Sequence, residues 1–179
     1  MFLSDVLDQT IKKLKSQTAN LMTLTNLGLG GFAVLTGING NLNISLLFIF
    51  LAALADRFDG MIARKFNCES ELGKQLDSMS DIISFGVAPA LLIYQSVLIH
   101  MGAPGMFFTV LYIGCGAFRL AKFNITESNG YFTGLPITAA GCLVTLSYLG
   151  IPAFPPVFYL VLMCLLALSM VSPFKLKKI

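Results

Sequence analysis

The chain carries Asp56-Arg57-Phe58-Asp59-Gly60-Met61-Ile62-Ala63-Arg64, then eight further residues, then Gly73-Lys74-Gln75-Leu76-Asp77-Ser78-Met79-Ser80-Asp81. Asp56 and Asp59 are spaced i, i+3 and Asp77 and Asp81 i, i+4, so each pair shares one helix face. The surroundings are strongly apolar: 56% of the 179 residues are hydrophobic and 12% charged, against about 25% charged in an ordinary globular domain. Carboxylates are costly in such a chain, and inside membrane segments they mark a working site.

Outward from this stretch, apolar segments predict six transmembrane helices. They run over Leu21 to Ile38, Leu42 to Arg64, Gly73 to Ile99, Ala103 to Phe123, Gly134 to Leu149 and Pro155 to Val171. Each approaches the ~20 residues needed to cross ~30 Å of hydrocarbon, the fifth being short. Ahead of them, Leu3, Val6, Leu7, Ile11 and Leu14 recur at three- and four-residue steps opposite Asp5, Asp8, Lys12, Lys13 and Lys15. That pattern predicts an amphipathic helix lying on anionic lipid. The expected fold is therefore all-α and polytopic, with an interfacial helix over residues 1–18 and a six-helix membrane domain over 19–179.

Charge gives the orientation. The connections Gly37 to Asn41, His100 to Pro104 and Gly150 to Pro155 hold no Lys, Arg, Asp or Glu. All twelve Lys and Arg, and all nine acids, fall at the opposite ends of the segments. The positive-inside rule then places both termini, and the carboxylates, on the cytoplasmic side of the cell membrane. No nucleic-acid partner is expected. Cys68, Cys115, Cys142 and Cys164 show no C-x-x-C spacing, which predicts reduced thiols. Pro89 should distort the third span, and Gly28, Gly30 and Gly31 should allow close helix approach in the first.

The second span starts near Leu42, so Asp56 lies only ~21 Å along it, at the inner edge of the hydrocarbon. Asp77 and Asp81 open the next span at a matching depth. Two antiparallel helices can thus aim four carboxylates at one spot. Alone they would repel one another; oxygen-only ligands suit Mg²⁺, Mn²⁺ or Ca²⁺ rather than zinc. Several bridging carboxylates suggest two cations ~3.5–4 Å apart, the arrangement that clamps a phosphoryl group in an in-line displacement. Gly60, Ala63 and Gly73 leave helix surface bare for a bulky polar ligand, and Arg64 and Lys74 can hold phosphate. The bland alternative is a set of ion pairs, such as Asp56 and Asp59 with Arg57 and Arg64.

The pattern D-x-x-D-G-x-x-A-R, eight residues, G-x-x-x-D-x-x-x-D resembles the signature of the CDP-alcohol phosphotransferase family and is complete here. The resemblance implies a six-helix membrane fold, a homodimer, two divalent cations, and displacement of CMP from a CDP-linked substrate by an alcohol. It implies that Asp56, Asp59 and Asp77 ligate metal and position CDP, with Asp81 a further ligand and the general base. It implies that Gly60, Ala63, Arg64 and Gly73 line the CDP pocket. Asn26, in Thr23-Leu24-Thr25-Asn26, is a further candidate to touch the nucleotide.

Three other stretches, Ser84-Phe85-Gly86-Val87-Ala88-Pro89, Arg119-Leu120-Ala121-Lys122-Phe123-Asn124 and Gly134-Leu135-Pro136, look like the branch that uses serine as acceptor. Lys122 stands where Arg is commoner. The branch implies CDP-diacylglycerol and L-serine as substrates, with Arg119, Lys122, Asn124, Gly134 and Pro136 near the serine or the lipid phosphate. Two rivals stand beside it: another acceptor such as glycerol 3-phosphate or an inositol phosphate, and a small cation-coupled transporter.

Overall fold

The computed structural model describes residues 2–66, 71–125, 131–173 and 175–177, with side chains omitted for 2–16, 18, 19, 59, 62–66, 131–133 and 175–177. Cys68 lies outside the described residues.

Helices dominate: α1 (Phe2–Ile38), α2 (Leu42–Phe66), α3 (Glu71–Asp81), α4 (Ala88–Ser96), α5 (Ala103–Ile125), α6 (Ile137–Ser147) and α7 (Pro156–Val171). Two three-residue strands, β1 (Tyr131–Thr133) and β2 (Lys175–Lys177), pair antiparallel. Among the described residues three helical stretches are long and apolar enough to cross a membrane, Asn20–Ile38, Glu71–Ser96 and Ala103–Ile125. Ile137–Gly150 and Pro156–Val171 are shorter apolar helices. Such helices make the chain an integral membrane protein.

No break in the backbone marks residue 18. The segment Gln17-Thr18-Ala19-Asn20 contains no Gly or Pro to stop a helix, and α1 runs unbroken for 37 residues. At 1.5 Å per residue it is ~55 Å long, far more than a ~30 Å hydrocarbon core, so its first half projects beyond the core. The helix stops at Gly40, whose φ of 78° is the left-handed conformation that glycine adopts freely. There the Asn41 N–H bonds the Thr36 carbonyl at 2.9 Å, and α2 returns beside α1.

The third predicted span is one helical column in three pieces, α3, a π-helical segment Ile82–Val87, and α4. Pro89 explains the break. It has no N–H to give the Phe85 carbonyl, and the column widens ahead of it, with the Ala88 N–H bonding Ile83 five residues back. The freed Phe85 carbonyl accepts a hydrogen bond from the buried Tyr112 hydroxyl of α5 at 3.1 Å. Helix α6 closes on the same turn: a Cβ on Gly141 would stand 2.6 Å from the Phe85 oxygen. Of Gly28, Gly30 and Gly31 in α1, only Gly30 meets this column, where an added Cβ would lie 3.1 Å from Ser84 Cα. Gly28 and Gly31 face open space, because successive helix positions turn by ~100° and only one row faces a neighbour.

Tyr112→Phe should leave that carbonyl unpaired in the core and cost about 1–3 kcal/mol. Thermal unfolding in detergent reads it, and an unshifted midpoint would show that the hydroxyl supports nothing.

The apolar core joins Phe85, Ile93, Tyr112, Ile137, Tyr159, Met163 and Met170 from the column, α5, α6 and α7. At the uncharged end, Tyr148 donates to Asn43 at 3.0 Å and Tyr159 to the Ser147 carbonyl at 3.1 Å. The packed core thus fixes the column, and the column carries the acids. Cys115, Cys142 and Cys164 are free thiols.

Candidate active site

Asp77 and Asp81 lie on one face of α3, and Ser78, Ser80 and Ser84 lie to either side of that face. On one side Ser80 Oγ donates to the Thr23 carbonyl at 3.3 Å and Ser84 Oγ to the Asn26 carbonyl at 3.2 Å, stapling the column to α1. On the other, the Asn124 amide of α5 donates to Ser78 Oγ at 2.9 Å, and Lys74 Nζ reaches the Asn124 carbonyl at 3.5 Å. The acid-bearing face is held from both flanks.

That face meets Asp56 of α2. Carboxylate oxygens of Asp56, Asp77 and Asp81 lie within 4.8 Å of one another. Asp56 and Asp77 are half-buried, and Asp81 is buried at 8% exposure. Oxygens sharing one Mg²⁺, Mn²⁺ or Ca²⁺ at ~2.0–2.6 Å stand up to ~4–5 Å apart, so this donor set fits a hard divalent cation. Three carboxylates converging without one would repel. Asp59 follows Asp56 by one turn of α2, and its side chain lies outside the described residues, as do those of Ala63 and Arg64. Gly60 and Gly73 are half-buried on the two acid-bearing helices.

Around the acids stand polar groups with unmet capacity. Asn26 is 0% exposed, and neither its amide nitrogen nor its oxygen has a partner among the described residues. Asn124 likewise keeps its side-chain oxygen buried and unpaired while its nitrogen holds Ser78. Arg119 is 9% exposed, and its Nε has no partner among the described residues. Its guanidinium lies 5.7 Å from the centre of the Phe123 ring and near enough to Asp81 for their charges to attract. Buried polar groups normally find partners, so three orphaned ones around an acidic cluster point to a polar ligand.

Lys122 is exposed, and with Arg119, Phe118, Met170, Val171 and Ser172 it lines a small notch between α5 and the end of α7. Gly134 packs against Met170 and Ser172, two of the residues that line the notch. Gly134 has a φ of 75°, and its missing Cβ would collide with the Met170 carbonyl. The next residue, Leu135, donates its N–H to the Ser169 carbonyl at 3.1 Å, and Pro136 precedes the first turn of α6. Ser78, Ser80 and Tyr112 escaped the sequence reading. The serines interleaved with Asp77 and Asp81 were a usable sign of a helix gripped on several sides; nothing local marks Tyr112.

Comparison with known proteins agrees with this arrangement. The family model for CDP-alcohol phosphatidyltransferases matches residues 16–173, and the chain belongs to that family. It is 39% identical over 157 residues to the CDP-diacylglycerol–serine O-phosphatidyltransferase of Bacillus subtilis, covering 87% of this chain and 86% of that one. It is 39% identical over 143 residues to the archaetidylserine synthase of Methanothermobacter thermautotrophicus, covering 77% of this chain and 61% of that one. A CDP-diacylglycerol–serine O-phosphatidyltransferase of Helicobacter pylori is 37% identical over 133 residues, 73% of this chain and 56% of its own length.

Proposed function

We propose that this chain is a CDP-diacylglycerol–serine O-phosphatidyltransferase. It transfers the phosphatidyl group of CDP-diacylglycerol to the hydroxyl of L-serine, forming phosphatidylserine and releasing CMP. The observation that carries the reading is the convergence of Asp56, Asp77 and Asp81 within 4.8 Å, in a chain of this family and beside relatives bearing that name.

Asp56, Asp59, Asp77 and Asp81 would hold two divalent cations, Mg²⁺ or Mn²⁺. When bound, such ions offset the charge of the diphosphate and of departing CMP. Asp81 takes the proton from the serine hydroxyl. The serine oxygen then bonds to the phosphorus next to diacylglycerol, the bond from that phosphorus to the bridging oxygen breaks, and the bridging oxygen leaves with CMP. Asn26, Gly60, Ala63, Arg64 and Gly73 bind the CDP portion. Arg119 and Lys122 hold anionic oxygen of the lipid phosphate or the serine carboxylate, and the unpaired Asn124 oxygen accepts from the serine ammonium. Gly134 and Pro136 position this site by seating α6 against the end of α7.

The protein is read as a six-span homodimer of the cell membrane with this site facing the cytoplasm. The charge-free connections at the opposite end support that orientation. Purified protein given CDP-diacylglycerol and Mn²⁺ should release CMP only when serine is added. Release that is equal with glycerol 3-phosphate, or absent with serine, would overturn the proposal.

Asn124→Leu should raise the KM for serine by about tenfold or more, with a smaller effect on the KM for CDP-diacylglycerol. Because Asn124 also grips α3, Ser78→Ala serves as the control that breaks the grip alone. Equal changes in both variants would reduce Asn124 to a brace.

A further inference from the structure

Two cavities between α5 and α7 share Phe118 and Val171 and differ sharply in chemistry. The notch at the inner end is lined by Arg119, Lys122 and Ser172. Its volume of about 10 Å³ is room for one oxygen-sized group. The adjoining groove, about 380 Å³, is lined by Leu111, Gly114, Cys115, Phe118 and Val171 and is almost wholly apolar. Leu111, Gly114, Cys115 and Phe118 are spaced i, i+3, i+4 and i+7, one stripe of α5 running ~10 Å along its axis. The stripe leads from the charged end of α5 toward the uncharged one. Gly114 opens its middle, since a Cβ there would meet nothing within 4 Å.

A cationic notch at the membrane edge, continuous with an apolar trough running inward, has the polarity of one ligand: a phospholipid. We infer that this slot holds the lipid substrate, with one free oxygen of the phosphate beside diacylglycerol on Arg119 and one acyl chain along the α5 stripe. The inference rests on the proposed function and assigns Arg119 to the lipid rather than to serine. Two observations carry it besides the shape. Arg119, which lines the notch, is nine-tenths buried, yet its Nε has no partner among the described residues, an expensive state without an anion to bind. Its charge is also attracted by that of Asp81, so the guanidinium belongs to the same charged end as the proposed base. Lipid then enters sideways from the bilayer between α5 and α7.

The test fills the trough. Gly114→Phe adds bulk where the fold has room, and Gly28→Phe does the same at an open position on α1. With CDP-lipids of eighteen-carbon and six-carbon chains, Gly114→Phe should lower the ratio of long-chain to short-chain kcat/KM by about tenfold or more. Gly28→Phe should keep the parent ratio. A parent ratio in Gly114→Phe would overturn the inference. A second readout survives failure of the activity assignment: a phosphatidic acid probe with a photoreactive acyl chain, mapped by mass spectrometry. It should label residues 111–118 and Val171, and lose that labelling in Gly114→Phe and in Arg119→Gln. Labelling elsewhere would overturn the inference. So would displacement of the probe by an equal concentration of inorganic phosphate, which would make the notch a simple anion site. Loss of a dimer in Gly114→Phe with unchanged labelling would assign the trough to a second copy instead.

Discussion

Asp81→Asn should reduce the rate of CMP release by about three orders of magnitude, the scale that a positioned general base contributes. The amide is nearly the same shape, so the staples from Ser80 and Ser84 to α1 stay in place and the protein should fold. On the proposed mechanism it loses a proton acceptor, one 8% exposed to solvent, where no bulk water substitutes easily. The loss should fall on kcat more than on the KM for CDP-diacylglycerol, since the base acts on serine. CMP release under saturating substrates measures it. Activity within tenfold of the parent would remove Asp81 from the chemistry.

Asp77→Asn should be as damaging by a different route. Asp77 sits one turn before Asp81 and contributes an oxygen to the cluster it shares with Asp56. Removing one carboxylate charge weakens the hold on a divalent cation, and a catalytic site loses transition-state stabilisation with it. Activity should fall by at least about a thousandfold at micromolar Mn²⁺, with partial recovery at millimolar Mn²⁺. A titration of CMP release against Mn²⁺ reads both features. A parent-like metal midpoint in the variant would show that the carboxylate is not a ligand. Because Asp81 is a proposed ligand as well as the base, Asp81→Asn should stay inactive at millimolar Mn²⁺, where Asp77→Asn partly recovers, and that difference separates proton transfer from metal retention.

Much of the site was legible because helix geometry is local. The i, i+3 and i, i+4 spacings put each acid pair on one face, and antiparallel neighbours at equal depth can only bring those faces together in a few ways. Asp56, Asp77 and Asp81 are found together for that reason. Pro89 was legible as a defect, because a missing N–H is a property of the residue itself. Its form was not. The defect spreads upstream as a π turn and is closed by a hydroxyl from α5 and a glycine from α6, contacts set by tertiary packing.

The same limit explains other misses. The 131–133 and 175–177 strands pair across more than forty residues of sequence, and neither has an alternation long enough to declare itself. Continuity of α1 past residue 18 was not legible either, since the change there from amphipathic to apolar composition says nothing about whether the helix is broken. Asn124 was expected as a ligand residue and proves also to be a tie to Ser78. Residue type announces that an amide is useful, and only packing says which of its two ends is already taken.

The most direct test is where a cation sits. Crystals grown with Mn²⁺ and CDP-diacylglycerol, measured at the manganese absorption edge, should show anomalous density enclosed by Asp56, Asp59, Asp77 and Asp81. Density elsewhere, or none among those four side chains in protein that turns over, would contradict the account.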